Sequence, residues 1–306
     1  MKAVRIHEFG GPEALRIEDQ PLPEPAAGEI LVRVQASSVN PVDFKMRNGG
    51  YVEKDKLPLT LGRDVAGTVD RVGHGVSDFA PGDAVYALLP WDRGGHAEFV
   101  SAPARICARK PERCDFVQAA AAPLAALTAW QGLFDHGGLK EGQTVLIHGA
   151  NGGVGHFAVQ FAAVAGATVA ATCRGEDRDF VRSLGATHVV DYRAERFEAA
   201  VPRVDLVLDL VGGETQRRSF EVLGPGGMLV STLGEPDAEA AAGSGAKGVG
   251  FLVEPNGEQL AMIARLIDLG RVMPTVDQVF PLEQAGAAER RLETEHVRGK
   301  IVVRLP

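Results

Sequence analysis

The chain has 306 residues, a length that favours two domains over one compact core. Its 32 basic and 40 acidic residues leave a net charge of −8, which argues against nucleic acid or an anionic membrane as the main partner, because both require a basic face. Glycine is abundant, at 37 residues, and aromatic residues make up only 6%, a composition that favours an α/β nucleotide-binding protein over an all-β binding module.

Targeting and redox signals are sparse. No apolar run approaches the roughly 18 residues of a membrane span, and the first twenty residues lack the apolar core of a signal peptide. The cysteines Cys107, Cys114 and Cys173 are scattered and form no CxxC pair, which favours free thiols in a reducing compartment. We therefore expect a cytoplasmic protein.

The first 120 residues consist of short apolar segments separated by glycine and proline. These segments predict strands at Met1–Ile6, Leu15–Ile17, Ile30–Val34, Ala66–Val72, Asp83–Tyr86 and Ala97–Val100. Their close spacing predicts a β-rich, partly closed barrel.

The pattern changes after an alanine-rich, helical stretch at Phe116–Ala129. Strands are predicted at Thr144–His148, Thr168–Thr172, His188–Val190, Asp205–Leu210 and Met228–Leu233, and helices at Gly153–Ala165, Asp177–Leu184 and Thr215–Leu223. This alternation indicates an α/β fold with a doubly wound parallel sheet. We expect Ala238–Gly250 to be a mobile connection, Gly257–Leu269 an amphipathic helix and Lys300–Leu305 a strand.

A glycine-rich loop joins the first of these strands to the helix that follows, in the segment VLIHGANGGVGHFAVQFA (145–162). The candidate phosphate-binding residues of this loop are Gly149, Asn151, Gly152, Gly153 and Val154. Glycines permit the tight turn and let backbone N–H groups approach a pyrophosphate at a helix N-terminus. The alternative is that these glycines serve only helix–strand packing.

The end of the second strand bears on the choice of dinucleotide. An NAD site usually has Asp or Glu there for the ribose 2′-hydroxyl, whereas this chain has Thr172, Cys173 and Arg174. A guanidinium can pair with a 2′-phosphate, which favours NADPH over NADH. Glu176 and Asp177 follow and weaken this argument, and the alternative is that Arg174 is a solvated surface cation.

Several blocks in a fixed order resemble the zinc-independent quinone oxidoreductase and enone reductase branch of the medium-chain dehydrogenase/reductase superfamily. The matching segments include NPVDFKMRNG (40–49), LGRDVAGTV (61–69), GGHAEFV (94–100), PLAALTAWQGL (123–133), VLIHGANGGVG (145–155), DLVLDLVGG (205–213) and HVRGKIVV (296–303). The resemblance covers essentially the whole chain.

The resemblance implies a GroES-like β-rich catalytic domain at 1–121 and 256–306, a Rossmann domain at 122–255 that binds NADPH, and a homodimer. It also implies further cofactor-binding residues, which we expect to be Asn40, Thr128, Thr172, Cys173, Arg174, Tyr192, Leu210, Val211, Leu233, Phe251 and Val253. The implied partner is a small-molecule quinone or enone, with no nucleic acid and no membrane.

The ligands of zinc-dependent relatives are missing from their expected positions. This chain has Ser38 or Val39, and Arg63, where the first two zinc ligands should fall, and Cys107 is alone in the region of the structural zinc site. His74, His96 and Asp64 remain, but a guanidinium beside them disfavours a divalent cation. We expect no metal. His96 is expected to be a polar residue at a cleft or the surface, and His148 a core histidine.

Without a Lewis acid, a conjugated acceptor is easier to reduce than an isolated carbonyl, because negative charge spreads to the oxygen. Asn40 suits a helix N-cap, with Asp43 and Arg47 forming an i,i+4 pair. The resemblance makes Asn40 and Lys45 the candidate catalytic residues, Lys45 as hydrogen-bond donor to the developing enolate. The alternative is that Lys45 only solvates a helix face.

The leading hypothesis is an NADPH-dependent quinone or enone reductase. The alternative is an NADPH-binding sensor or structural protein of the same fold with little or no turnover.

Overall fold

A computed structural model describes residues 1–306, which divide into two compact units. Unit 1 comprises Met1–Leu127 and Pro255–Pro306, and unit 2 comprises Thr128–Glu254. The domain boundaries predicted from the sequence, 121/122 and 255/256, lie near these divisions. As boundaries between domains they stay predictions. No helix combines the length and the apolar character that crossing a membrane would require.

Unit 1 begins with short strands and two short helices. These are β1 (Lys2–Ile6), β2 (Leu15–Asp19), β3 (Glu29–Val39), α1 (Pro41–Arg47), β4 (Leu59–Thr60), β5 (Asp64–Val72), β6 (Ala84–Leu88), β7 (Phe99–Pro103), β8 (Cys107–Arg109) and α2 (Phe116–Ala120). The next helix, α3 (Pro123–Trp130), contains the division between the units, and a π-helical segment follows it at Gln131–His136.

Unit 2 alternates strand and helix, and the chain then returns to unit 1. Unit 2 contains β9 (Thr144–Ile147), α4 (Gly155–Val164), β10 (Thr168–Cys173), α5 (Arg178–Ser183), β11 (His188–Asp191), α6 (Phe197–Ala200), β12 (Val204–Asp209), α7 (Gly213–Ser219), β13 (Leu223–Ser231), α8 (Ala238–Ser244) and β14 (Lys247–Gly250). The C-terminal part of unit 1 contains α9 (Gly257–Asp268), β15 (Val276–Pro281), α10 (Ala285–Thr294) and β16 (Lys300–Arg304).

The long strand β3 organises unit 1. The larger sheet runs in the order β15-β16-β3-β5-β6-β8, with β7 also paired to β3, and a smaller sheet has the order β2-β1-β4. The C-terminal strand β16 lies antiparallel to β3, with Ile301 opposite Val39 and Val302 opposite Ser38. This pairing brings the last residues of the chain beside the residues that begin α1.

Unit 2 is a six-stranded sheet in which every pairing is parallel, in the order β11-β10-β9-β12-β13-β14. The first strand, β9, is central. The strands β10 and β11 follow on one side of it and β12, β13 and β14 on the other, so the strand order reverses between β9 and β12. Open α/β sheets of this order bind ligands outside the carboxyl ends of the strands at that switch point. The strands are buried on both faces by aliphatic side chains such as Leu146, Val207 and Leu229, as expected for a parallel sheet.

The prediction that Ala238–Gly250 is a mobile connection is wrong, because most of this segment forms a helix and a strand. Residues 238–244 form α8, in which the N–H groups of Glu239 and Ala240 donate to the Asp237 carboxylate, and Lys247–Gly250 form the edge strand β14. Tertiary pairing of β14 with β13 overrides the low packing capacity of a sequence rich in alanine and glycine. The helix predicted to reach Leu223 ends at Ser219, because Leu223 begins β13.

Candidate active site

The glycine-rich loop of unit 2 begins where β9 ends. Gly149 has φ +68°, a left-handed conformation that favours glycine. A Cβ at Gly155 would lie 2.2 Å from the Gly149 carbonyl oxygen and 2.7 Å from the Ala150 Cα, so only glycine fits at the start of α4. At Gly152 a Cβ would meet nothing closer than 3.4 Å. The loop therefore keeps the backbone at the helix N-terminus open to an anion.

Exposed apolar side chains surround this loop at the switch point. Val211 is 51% exposed and Leu233 is 45% exposed. A Cβ at Gly149 would lie 3.6 Å from the Val211 Cγ2 and 3.9 Å from the Leu210 Cβ. The structure thus brings the predicted residues Gly149, Leu210 and Val211 together, and their apolar surface is typical of a ligand site.

A buried carboxylate shapes the loop after β12. Asp209 Oδ1 accepts hydrogen bonds from the N–H groups of Val211 (3.0 Å) and Gly212 (2.9 Å). Its Oδ2 accepts from Gln216 Nε2 (3.0 Å) and Ser231 Oγ (2.9 Å). Asp209 is fully buried, so these four bonds fix the positions of the residues that line the switch point.

The predicted cofactor residues at the end of β10 and after β11 differ in exposure. Thr172 and Cys173 are buried, and Thr172 Oγ1 lies 3.0 Å from His148 Nδ1. Arg174 and Tyr192 face the surface: Tyr192 is 53% exposed, and Arg174 Nε donates to its hydroxyl at 3.4 Å. Burial raises the pKa of the Cys173 thiol to about 11. Among these residues, only Arg174 and Tyr192 expose polar groups to solvent.

The other predicted cofactor residues of unit 2 have varied environments. Thr128 and Asn151 are buried, whereas Gly152, Gly153 and Val154 are partly exposed. The Phe251 ring packs on His136, with the ring centroids 4.5 Å apart, and Val253 is partly exposed. The aromatic face of Phe251 therefore contacts the π-helical segment of its own unit.

In unit 1, the predicted N-cap of α1 is observed, but the predicted ion pair within the helix is not. Asn40 is the N-cap, with its N–H donating to Asp43 Oδ2 at 2.7 Å. The expected pair between Asp43 and Arg47 is wrong. Asp43 is engaged by backbone N–H groups, and Arg47 binds Glu289 (2.6 Å) and Glu293 (3.0 Å) of α10. Lys45 lies on the same helix and is partly exposed.

Five buried polar residues form what we call the Asn40 cluster: Ser38, Asn40, Asp43, Asp64 and Lys300. Asn40 Nδ2 donates to Asp64 Oδ2 at 2.8 Å, and Ser38 Oγ donates to the same oxygen at 2.5 Å. Lys300 Nζ donates to the carbonyl oxygen of Val39 at 3.0 Å and to Asn40 Oδ1, and it lies 3.7 Å from Asp64 Oδ2. The sequence analysis did not single out Lys300, although a lysine directly before an apolar strand is a usable signal.

Burial and neighbouring charges oppose each other in the cluster. Burial raises the pKa of Asp43 to about 7, with the charge of Asp64 acting in the same direction and the Asn40 N–H, Lys300 and Arg63 opposing it. Burial lowers the pKa of Lys300, and the two carboxylates oppose that effect. Each charge in this buried group therefore depends on its partners.

Arg63 belongs to a second group that the sequence analysis missed. The guanidinium is buried, donates through Nε to the Leu89 carbonyl at 2.8 Å, and lies 3.9 Å from the centre of the Trp91 ring. Tyr51, at φ +66°, stacks on Trp91 with the centroids 5.6 Å apart. Tyr51 is 53% exposed and Trp91 38%, so unit 1 presents an aromatic pair to solvent.

The histidines differ from one another in environment. The expectation that His96 is a cleft or surface residue is wrong: it is fully buried, neither ring nitrogen has a hydrogen-bond partner, and burial lowers its pKa to about 4. His148 is the expected core residue, bonded to Thr172 and Ser219. His74 is exposed in a turn, whereas Asp64 is buried.

Comparisons with known proteins place these observations in context. Residues 26–112 match the alcohol dehydrogenase GroES-like domain, and residues 184–303 match the zinc-binding dehydrogenase family. The chain is 37% identical over 311 residues to a probable zinc-binding oxidoreductase, mitochondrial, of Arthroderma benhamiae, with 95% of this chain and 93% of the relative covered.

Two further relatives are informative. An NADPH-dependent alkenal/one oxidoreductase, chloroplastic, of Arabidopsis thaliana is 36% identical, covering 99% of this chain and 79% of its own length. The solved structure of a quinone oxidoreductase from Coxiella burnetii superposes with a TM-score of 0.92 at 36% identity, covering 100% of this chain and 99% of that one. The predicted fold class, a GroES-like domain with a parallel-sheet Rossmann-type domain, is confirmed.

Proposed function

The chain belongs to the medium-chain dehydrogenase/reductase family and is an oxidoreductase, and from this premise we propose that it reduces quinones or α,β-unsaturated carbonyl compounds with NADPH and without a metal ion. The observation that carries the proposal is the glycine loop at the switch point of the sheet order β11-β10-β9-β12-β13-β14. Such a loop binds the pyrophosphate of a dinucleotide.

The residues at the far end of the proposed cofactor site support NADPH. The last residues of β10 and the position after it are Thr172, Cys173 and Arg174, so none of these three positions carries the carboxylate that is usual in an NAD site. The partners of Arg174 in unit 2 are weak, at 3.4 Å to Tyr192 and 3.7 Å to Glu176. A phosphate can displace such contacts with charge-assisted hydrogen bonds. The Arabidopsis relative is named as NADPH-dependent, in agreement with this assignment.

The donor set of unit 1 does not fit a divalent cation. Asp64 Oδ2 already accepts from Ser38 and Asn40, and its Oδ1 accepts from the Leu124 N–H at 2.6 Å. Both oxygens of Asp43 accept backbone N–H groups. The buried cations Lys300 and Arg63 supply the positive charge that a metal would bring. We therefore propose metal-independent chemistry, although the Arthroderma relative is named as zinc-binding.

The proposed reaction needs little from the chain besides position and a hydrogen-bond donor. NADPH, when bound, supplies the hydride, which adds to the far carbon of the conjugated system. Lys45, partly exposed on α1, donates a hydrogen bond to the substrate oxygen where negative charge develops. A proton from Lys45 or water then completes the reduction. The exposed pair Tyr51 and Trp91 offers a flat aromatic surface in the same unit.

A direct assay tests this function. Purified protein is mixed with NADPH and a panel of quinones and small enones, and the loss of nicotinamide absorbance is followed. Metal analysis of the same sample is part of the experiment. We expect turnover on conjugated acceptors, no stoichiometric zinc, and a rate that chelators leave unchanged. Tight NADPH binding with no turnover on any acceptor would favour the binding-protein alternative, and stoichiometric zinc would contradict the metal-free assignment.

The role of Lys45 has its own control. The Lys45→Ala variant should bind NADPH normally and lose rate, because the donor to the developing oxyanion is gone. Lys56→Ala, an exposed lysine outside α1, is the matched control and should leave the rate unchanged. Equal kinetics for both variants would remove Lys45 from the mechanism.

A further inference from the structure

We propose that Lys300 is a positioning residue: its buried ammonium fixes the side-chain amide of Asn40 in one of the two orientations that an amide can take. The inference rests on the proposed function and on the candidate catalytic role that the resemblance gives to Asn40. It assigns a task to a charged residue at the far end of the chain that the mechanism above uses only for charge balance. Its basis is the geometry of the Asn40 cluster.

Strand pairing brings Lys300 to Asn40 across 260 residues of sequence. β16 runs antiparallel to β3 with Ile301 opposite Val39, so Lys300 lies level with the residue that caps α1. Lys300 is only 4% exposed, and its ammonium donates to the Val39 carbonyl oxygen and to Asn40 Oδ1. A buried ammonium is stable only where acceptors surround it, and here Asp64 completes the set.

The chemistry of the partners leaves one orientation for the Asn40 amide. Lysine has donors and no acceptor, whereas an ionised carboxylate has acceptors and no donor. Asn40 Oδ1 faces Lys300 Nζ, and Asn40 Nδ2 faces Asp64 Oδ2 at 2.8 Å. A rotation of the amide by half a turn would set its NH₂ group against the ammonium and its oxygen against the carboxylate. Both hydrogen bonds would be lost, so the amide cannot turn while Lys300 and Asp64 are charged.

Asp64 is itself held, which makes the arrangement rigid. Ser38 Oγ donates to Asp64 Oδ2 at 2.5 Å, and the Leu124 N–H donates to Oδ1 at 2.6 Å. The Asn40 backbone is fixed separately, through its N–H bond to Asp43. An active-site group that is fixed before ligand binding needs no reorganisation during the reaction. Lys300 therefore acts on the reaction through Asn40, without itself reaching the substrate.

A spectroscopic test addresses the amide directly and needs no turnover. The two side-chain Nδ2–H signals of Asn40 are assigned in the ¹H–¹⁵N spectrum of the full chain by their loss in Asn40→Ser, and their exchange with solvent is measured. In Lys300→Met we expect exchange to accelerate by about tenfold or more, because the amide can now turn and open. Lys300→Arg, which keeps a cation, should keep the exchange slow. Unchanged exchange in Lys300→Met would overturn the proposal.

Two further variants keep the test decisive. Lys300→Met leaves Asp64 without its buried counter-charge and can fail to fold. The double variant Lys300→Met/Asp64→Asn removes both charges, so no unpaired buried charge opposes its folding, and it should still lose the slow exchange. Lys110→Met is the matched control, because Lys110 also donates to backbone carbonyls, those of Pro111 and Cys114, in the same unit. It should not alter the Asn40 signals, and a change there would overturn the assignment to Lys300.

Kinetics separate positioning from a merely structural role. In the double variant we expect kcat to fall by about tenfold or more, with the acceptor KM and the NADPH dissociation constant within about twofold of wild type. Lys300→Arg should recover part of kcat. A parallel loss of kcat and of NADPH-binding stoichiometry would indicate unfolding and overturn the positioning role. If the wild-type chain reduces no acceptor, the proposed function fails, while the exchange measurement still decides the role of Lys300.

Discussion

At the scale of single residues, the turn before β5 shows how closely the buried part of unit 1 is packed. Gly62 has φ +91°, and a Cβ at this position would lie 2.5 Å from Nδ1 of the buried His96 ring. Its N–H donates to Asp43 Oδ1 at 3.2 Å, so a displaced backbone would also disturb the Asn40 cluster. Glycine is required here both for the conformation and for the space.

We predict that Gly62→Ala lowers the free energy of unfolding by about 2–4 kcal/mol, because left-handed strain and a steric clash add. Gly75→Ala is the matched control: Gly75 has φ +83°, but a Cβ there would meet nothing within 4 Å. That variant should lose only the strain, about 1 kcal/mol. Urea denaturation measures both values, and equal losses would contradict the packing around His96.

His148 gives the chain a proton-linked sensitivity to acid. Burial lowers its pKa to about 4, whereas an unfolded histidine titrates near 6.5. Between these values the unfolded chain binds a proton that the folded chain does not, so acidification favours unfolding. This contribution to stability is present above pH 6.5 and is lost as the pH falls towards 4. The raised pKa of Asp43 acts in the opposite direction, so the wild-type profile alone does not isolate the histidine.

A difference measurement isolates the histidine. His148→Asn should be less stable than wild type at pH 7.5, because a bonded core side chain is altered. Below pH 6.5 this gap should narrow by about 1.4 kcal/mol per pH unit, which corresponds to one proton. His74→Asn, at an exposed position, should show a constant difference from wild type. A constant gap for His148→Asn as well would mean that His148 takes up its proton over the same pH range in the folded and the unfolded chain, which would contradict the lowered pKa.

The proposed preference for NADPH rests on Arg174. Arg174→Gln should weaken NADPH binding by about tenfold to a hundredfold, because a charge-assisted contact to the 2′-phosphate is lost. NADH binding should stay nearly unchanged, since NADH has no such phosphate. Fluorescence titration with both dinucleotides measures the ratio. The same loss for NADPH and NADH would leave Arg174 with only a general electrostatic effect.

At the scale of elements, a buried ion pair joins α1 to α10. Arg47 is 1% exposed, and its guanidinium lies 2.6 Å from a carboxylate oxygen of fully buried Glu289. The helices are far apart in sequence, so this pair fixes the C-terminal helix against the helix that carries Asn40 and Lys45. Removing one partner alone leaves a buried charge without compensation.

The ion pair allows a double-mutant cycle. Arg47→Met should destabilise the chain by about 3–5 kcal/mol, because Glu289 is left buried and unpaired. Arg47→Met/Glu289→Leu should recover much of that loss, since both fully buried charges are removed and the remaining partner, Glu293, is partly exposed. The matched control is Arg182→Met, which removes an exposed pair with Asp179 and should change stability by less than about 1 kcal/mol. Additive losses at Arg47 and Glu289 would contradict the coupling.

Local sequence patterns predicted some elements well and others poorly. The helix expected at Gly257–Leu269 is observed at Gly257–Asp268, because its apolar residues recur on one face. The local sequence pattern predicts neither β15 nor α10, and it indicates no regular structure at 238–250. These elements depend on neighbours: β15 on β16, and β14 on β13. The residues of these two strands carry little periodic signal of their own.

At the scale of the whole molecule, the glycine loop of unit 2 and the Asn40 cluster of unit 1 differ in how far the sequence could predict them. The loop at Gly149 was predictable, because strand, glycines and helix are contiguous. The Asn40 cluster was not, because its members come from β3, the start of α1, β5 and β16, and the contact between Asn40 and Lys300 spans 260 residues. Only folding of the C-terminal strand onto β3 brings these charges together.

The central claim is that hydride reaches the far carbon of a conjugated acceptor without a metal. The most direct measurement uses NADPH with deuterium at both C4 positions, a small enone and the wild-type chain, followed by NMR of the product. The account predicts a saturated carbonyl product with one deuterium at the β-carbon, formed at an undiminished rate in the presence of a zinc chelator. Deuterium at the carbonyl carbon of an allylic alcohol, or a rate that requires zinc, would contradict it.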